Sequence, residues 1–479
     1  MDHDDVHLSS TRNAFVSFDE RIEVDAIVIV LTPSSVKAMG ERSQSEEMCK
    51  FTDVDFRINF FKSLFGAGVL TLPHAFSTLG LPLSLLTFLL IFLTCLFSCT
   101  LLLTSKRMKC KNGAETFQSL SGKILGRKWG KGIGLIICFL ELSFCSGFLI
   151  AIIDNIQTAF PEITRLNILL VLTPILMLLG QVKWLSDLCI ISFLGCLVYF
   201  FGVLGSSTIY SFRNWNPPTN LWDMDFNNIL EFSGTAIYSL EGICLVLPCE
   251  RSMRVKEDAQ KMVSSSLSIY AILIGLYASI AFAGGLARPE CDIVTDCFEG
   301  DAEATVLRLA LSFALMLSHP VTLFPASEIL EEIVLGEEEG DEKNGVKTPL
   351  IPREEGEPTD SVSEENTALD GFDSETCRKP RTKKYKSILL RVITVTITLT
   401  LGFSGINFST FSNIVGAIGL STVGFVVPVM LYTTSFKQKY GDTQSIPFWT
   451  KLGLAWSLYV GFFNIFIVGG GAVVKLSKG

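Results

Sequence analysis

With 479 residues, 49% of them hydrophobic, 36 Phe and only 18% charged, the chain carries more apolar mass than a water-soluble protein buries, and a bilayer is its natural solvent. The net charge of -9 comes from acids gathered in the first 55 residues and between Glu328 and Glu375, a distribution that excludes a nucleic-acid surface. Most of the 13 Cys lie inside apolar runs, where Cys acts as a small hydrophobe, and no C-x-x-C pair suggests a metal; neither metal nor cofactor nor catalytic centre is expected.

In chain order, residues 1–55 lack the basic flank and long apolar core of a signal peptide and read as a cytosolic disordered tail. A helix rising about 1.5 Å per residue needs about 20 residues to cross hydrocarbon. That ruler predicts an all-α polytopic protein with about eleven transmembrane helices, near 57–79, 82–104, 132–156, 166–181, 187–210, 227–248, 264–286, 304–325, 387–406, 411–434 and 448–474. Residues 56–335 hold spans 1 to 8 and 387–479 hold spans 9 to 11. Between them, 336–386 is acidic, then basic, and poor in apolar residues, and reads as a disordered cytosolic loop. Its Thr359, Ser361 and Ser363 are candidate phosphorylation sites for cytosolic regulatory partners, and its basic end is a candidate anchor to anionic lipid.

Orientation follows from the cations. The stretch from Lys106 to Lys131 is strongly basic against the single acid Glu115, which places it and the N-terminus in the cytosol. Cys291 and Cys297 then share a loop on the opposite, oxidising side and form a candidate disulfide.

Two spans contain helix breakers. The first reads FFKSLFGAGVLTLPHAF and the sixth FSGTAIYSLEGICLVLPCE, so that GVLTLP from Gly68 is echoed by GICLVLP from Gly242, five spans later. Irregular backbone is tolerated at membrane depth only where it lines a cavity or is buried in protein. The breaks therefore mark a site made of Gly66, Ala67, Gly68, Val69, Tyr238, Ser239, Leu240 and Gly242. The helix restarting at Gly68 presents unpaired N–H groups suited to a carboxylate, and carbonyls around Tyr238 to Leu240 suit an ammonium, so a zwitterionic amino acid fits both.

These residues carry a resemblance. Lys62 to Phe76 is similar to a first-helix motif K-S-x-x-G-T-G-V-L-x-L-P-x-A-F of the amino acid/auxin permease family, in its proton-coupled and fungal vacuolar branch, with Ala67 at the Thr position. Phe232 to Pro248 resembles the sixth-helix hallmark, and Leu317 to Ala326 the eighth-helix pattern with Val321 at a Leu position. The resemblance implies a leucine-transporter-type 5+5 inverted repeat with broken helices 1 and 6. It also implies a secondary active transporter of small neutral amino acids in a vacuolar, lysosomal or other endomembrane, with the plasma membrane as the alternative. The chain departs from the pattern at His74, where Lys or Tyr is frequent, and at His319, and it lacks the family's animal-type loop cysteine pair.

Charges inside spans need a reason, since each costs at least about 2.5 kcal/mol to insert. Glu241, beside the sixth-span break, is the leading candidate proton carrier, with His74 and His319 as further candidates. Glu141 could face the same cavity but reads rather as a neutral carboxyl bonded to a neighbouring helix, and Lys62 as a residue that snorkels to the cytosol or closes an inner gate with Glu250 or Glu257. The expected partners are an amino acid substrate and membrane lipid, on a monomer. Proton coupling is favoured; sodium coupling, through carbonyls near Phe65 and Gly66 with Ser312, and an amino-acid sensor signalling through the cytosolic tail both stay open.

Overall fold

The structure is a computed structural model that describes residues 53–66, 68–109, 116–182, 188–213, 215, 225–240, 242–253, 256–286, 293–298, 301–345, 381–403, 408–443 and 445–473. The regular elements among them are all helical. The first expected span is two half-helices, α1 (Asp53–Leu64) and α2 (Gly68–Leu79). They are followed by α3 (Leu81–Lys109), α4 (Phe117–Leu125), α5 (Arg127–Ala159), α6 (Arg165–Leu179) and α7 (Leu188–Arg213). The sixth span is again split, into α8 (Phe226–Leu240) and α9 (Ile243–Ser252). Beyond it come α10 (Ala259–Ala283), α11 (Asp301–Gly345), α12 (Arg381–Gly402), α13 (408–440) and α14 (Phe448–Val473).

Nine helices among the described residues are long and apolar enough to cross a membrane, the pair α8 and α9 counting as one. The segments expected at 57–79 and 166–181 are present as shorter helices: α1 and α2 of 12 residues each, and α6 of 15. Pro73 and Pro248 each stand sixth in their half-helix, α2 and α9. A proline there removes one intrahelical donor and weakens the first turns after each break.

Burial sorts the helices into an inner and an outer set. Helix α5 is buried along most of its apolar length and packs against α11 at the centre. Outer helices turn large apolar side chains outward, among them Leu86 and Leu89 on α3, Phe201 on α7, Ile272 on α10 and Phe466 on α14. Exposed apolar surface on this scale suits lipid contact.

Two stretches differ from the sequence expectation. The basic loop contains α4, whose first turn is capped by Thr116 Oγ1 accepting from the Ser119 N–H at 3.0 Å and whose end is marked by Gly126 at φ 102°. The segment 336–386 is helical at both ends, since α11 continues to Gly345 and α12 begins at Arg381. Its Glu- and Lys-containing flanks are good helix formers that extend a helix already nucleated in the bundle. Tail residues 1–52 and loop residues 346–380, with the three candidate phosphorylation sites, lie outside the described residues.

One end of the bundle is tied by ion pairs. Lys106 at the end of α3 bonds to Glu250 on α9, both nearly fully buried. Arg251 on α9 pairs with Glu328 on α11. Arg391 on α12 donates from Nε to Glu331 at 2.8 Å, and Ser387 donates to the same oxygen at 2.8 Å. Glu250 is therefore not available to Lys62, and the expectation of a Lys62 gate pair is corrected: Lys106 reaches Glu250 first. The Glu257 carbonyl accepts from Arg107 at 2.9 Å. Nor does Lys62 snorkel, being 1% exposed inside the bundle.

Removing one partner of a buried pair strands the other charge, at a cost of about 3 kcal/mol or more. Lys106→Met is expected to lower the thermal midpoint in detergent clearly, and the double variant with Glu250→Met to recover much of that loss. Strictly additive losses would show that the pair does not couple α3 to α9.

Candidate functional site

The two breaks face each other. Helix α1 ends at Leu64, and the chain continues through Phe65 and Gly66 before α2 starts at Gly68; α8 ends at Leu240 and α9 starts at Ile243. Neither Gly68 nor Gly242 has a left-handed backbone; φ at Gly242 is -159°. What these positions require is room. A Cβ on Gly68 would lie 2.5 Å from the Tyr238 ring and 3.3 Å from the Ser239 Cα, and one on Gly242 would lie 2.6 Å from a Leu64 methyl. The small residues bring the two broken spans into direct contact.

Carbonyls exposed by the breaks are met by tyrosines from other helices. Tyr199 on α7 donates its hydroxyl to the Gly66 carbonyl at 2.7 Å. The Tyr270 hydroxyl on α10 lies 2.6 Å from the Leu64 carbonyl and 2.8 Å from the Ser239 carbonyl, one on each broken span. Phe65 packs between these tyrosines, with ring centroids 5.2 Å from each. The Ser239 carbonyl, expected to be free for an ammonium, is thus shared with Tyr270. Among candidate residues, Tyr199 and Tyr270 gave no sequence signal beyond being tyrosines inside apolar spans, where a hydroxyl needs a partner.

A cavity of about 30 Å³ lies at the meeting point, lined by Gly66, Gly68, Val69, Tyr238, Ser239 and Gly242 from the breaks. Its wall also includes Glu141, Phe144 and Phe148 from α5, Thr322 from α11, Ser63 and Leu64 from α1, and Cys244 and Leu245 from α9. That volume is close to one water's share of liquid, so an amino acid enters only if the walls separate. Six of the eight residues expected at the site therefore come together. Leu240 is buried instead beside a second small cavity with Phe60 and Gly242, and Ala67 lies outside the described residues.

Polar groups in the wall are few. The Tyr238 hydroxyl is buried with no hydrogen-bond partner among the described residues, and its ring packs on Phe144 at 4.9 Å. That hydroxyl sits beside Gly147, where an added Cβ would come 3.0 Å from it. Glu141, 3% exposed, brings a carboxyl to the same wall. Of the two places the sequence allows it, facing this cavity or bonded to a neighbouring helix, it takes the one on the cavity wall.

The titratable candidates scatter. Glu241 lies outside the described residues. His74 is half-buried along α2, six residues beyond the break. His319 is fully buried on α11, with Nε2 3.5 Å from the Thr398 hydroxyl on α12 and Nδ1 without a hydrogen-bond partner among the described residues. Neither histidine is among the cavity-lining residues. Cys297 is disulfide-bonded, and Cys291, its expected partner, lies outside the described residues.

Comparison with known proteins places this architecture. Residues 54–474 match the family described as transmembrane amino acid transporter protein, and the chain belongs to that family, the amino acid/auxin permeases. It is 28% identical over 293 residues to Vacuolar amino acid transporter 3 of Schizosaccharomyces pombe, covering 57% of this chain and 42% of that protein. Amino acid transporter AVT3A of Arabidopsis thaliana is 22% identical over 427 residues, covering 85% of this chain and 86% of the relative. Vacuolar amino acid transporter 4 of Saccharomyces cerevisiae is 25% identical over 285 residues, covering 56% and 39%. The chain thus spans about two-fifths of the length of the two yeast relatives and most of the plant one.

The contacts at the two glycines give different outcomes for the same small substitution. Gly68→Ala drives a methyl group into a fixed ring and backbone, whereas the methyl of Gly242→Ala meets the end of a Leu64 side chain that can rotate. Ligand-induced thermal shifts with a panel of amino acids are expected to vanish in Gly68→Ala and to persist, weakened, in Gly242→Ala. The reverse order would mean that the cavity does not lie where the breaks meet.

Proposed function

We propose that the protein is a secondary active transporter of small neutral amino acids, driven by protons, that works by alternating access in a vacuolar or other endomembrane. The single observation that carries the reading is the cavity at the junction of two broken helices, walled by backbone-bearing glycines, three aromatic rings and a carboxyl. Helix ends facing a cavity at membrane depth supply donors for a carboxylate and acceptors for an ammonium without fixed charges of their own. No lysine or arginine is among the described residues lining it, which supports a zwitterion without an acidic side chain. The vacuolar names of the fungal relatives support the choice of membrane.

Alternating access is supported by the polar end of the bundle. The pairs Lys106 with Glu250 and Arg251 with Glu328 bind α9 to α3 and α11, closing the side that the basic clusters assign to the cytosol. Separating those pairs would open the cavity that way. Spans 1 to 5 and 6 to 10, each set beginning with a broken helix and related as an inverted repeat, would give the symmetry by which the opposite side closes in turn.

Proton rather than sodium coupling is supported by the carbonyls. Those of Leu64 and Gly66, which would form part of a cation cage, already accept hydrogen bonds from Tyr270 and Tyr199. Purified protein in liposomes is expected to accumulate a small neutral amino acid on the alkaline side of an imposed pH gradient, without sodium. Accumulation under a sodium gradient at equal pH, and none under a pH gradient, would establish the sodium reading instead. Binding without flux under either gradient would leave the protein a sensor.

A further inference from the structure

One buried cation has no role in the site so far. Lys62 stands on α1 at the second position before Leu64, 1% exposed. Its ammonium donates to the Ala314 carbonyl on α11 at 3.1 Å and sits 5.9 Å from the centroid of the Tyr199 ring. No carboxylate lies within ion-pair reach of it among the described residues. The opposing surface of α7 is Gly195, where an added Cβ would come 2.8 Å from Nζ. The pocket is thus built around the ammonium, yet among the described residues it provides one carbonyl, one aromatic face and the Cys196 thiol, and no carboxylate.

A lysine held so is costly when charged. An ammonium has three donors, and a buried charge without an opposite one is stable only when hydrogen bonds replace its hydration. It is also the cation whose proton is removable: lysine, unlike arginine, gives up its proton when desolvated. We infer that Lys62 is the proton-coupling group of the transporter, an ammonium tethered to α1 that takes the place a free coupling cation would occupy between α1, α7 and α11.

The step is a single proton exchange. The amine takes up one proton from water on the acidic side and becomes the ammonium bonded to the Ala314 carbonyl; it releases that proton to water on the other side and returns to the neutral amine. No other bond changes. The charge-assisted bond is about twice as strong as its neutral counterpart, so protonation tightens α1 against α11 and deprotonation loosens it. Since α1 ends in the break that lines the cavity, the proton biases whether the walls stand together or apart.

Among the described residues, the titratable groups facing Lys62 are Cys196 and Tyr199 on α7, and Tyr270 on α10, whose hydroxyl is spent on two carbonyls. Glu250 on α9 is held by Lys106. From α11 come the Ala314 carbonyl and Leu317, while His319 is placed against Thr398.

The inference rests on the transport reading, and the experiment separates the two. A pH gradient of about one unit coupled one to one sustains about a ten-fold concentration ratio. In liposomes the unmodified protein is expected to reach a ratio of that order, and Lys62→Met to fall to a ratio near one while exchange of labelled for unlabelled substrate across the membrane continues, now without pH dependence. Full accumulation by Lys62→Met would overturn the inference and leave the transport reading standing; no flux of any kind by the unmodified protein would overturn both. Should Lys62→Met lose exchange as well, Gly195→Ala decides. Its methyl displaces the ammonium from its seat, so the ratio should drop and the pH profile of exchange should shift. An unchanged ratio and profile in Gly195→Ala would also refute the role.

Discussion

Everything in this bundle depends on how backbone polar groups are satisfied where no water reaches them. An unbroken helix answers that within itself; a broken one hands the question to its neighbours. Here the chain leaves regular helix between Leu64 and Gly68 and between Leu240 and Ile243, and the carbonyls of Leu64, Gly66 and Ser239 accept hydrogen bonds from two tyrosines of unbroken helices. The glycines then allow the broken spans to approach until a ring of one touches the backbone of the other. Cavity, polar lining and small volume follow from that pair of accommodations.

The breaks themselves were readable from glycine and proline inside apolar runs, as was the repetition five spans apart. Position in the sequence also located most of the wall, because a break carries its site with it. Groups that come from unbroken helices were not readable in this way. Glu141 reaches the cavity through the rotation of α5, and Tyr199 and Tyr270 reach the carbonyls through the packing of α7 and α10; nothing in their local sequence records those directions. Lys62 shows the same limit from the other side. Its place near the predicted helix end suggested solvent, whereas the absence of a side chain at Gly195 draws it inward.

Two kinds of charge are used differently in the fold. At the polar end, Lys106, Arg251 and Arg391 each face a carboxylate, so they act as fastenings whose strength depends on keeping both partners. In the interior, Lys62 faces a carbonyl, a weaker partner that can hold either the ammonium or the neutral amine. A fastening resists change of protonation because its partner's charge would be stranded. A cation on a carbonyl leaves nothing stranded when it discharges, and that asymmetry suits it to titrate.

The Tyr270 hydroxyl adds a constraint on how the two breaks move. It has one hydrogen and two acceptors, the carbonyls of Leu64 and Ser239, so it cannot serve both fully at the same time. The Leu64 carbonyl also accepts from the Gly66 N–H at 3.0 Å, so the turn that ends α1 and the Tyr270 hydroxyl share one oxygen. A movement separating the two broken spans would leave Tyr270 to follow one carbonyl and release the other, so the hydrogen bonding that holds the half-helices together is also what any opening of the cavity has to rearrange.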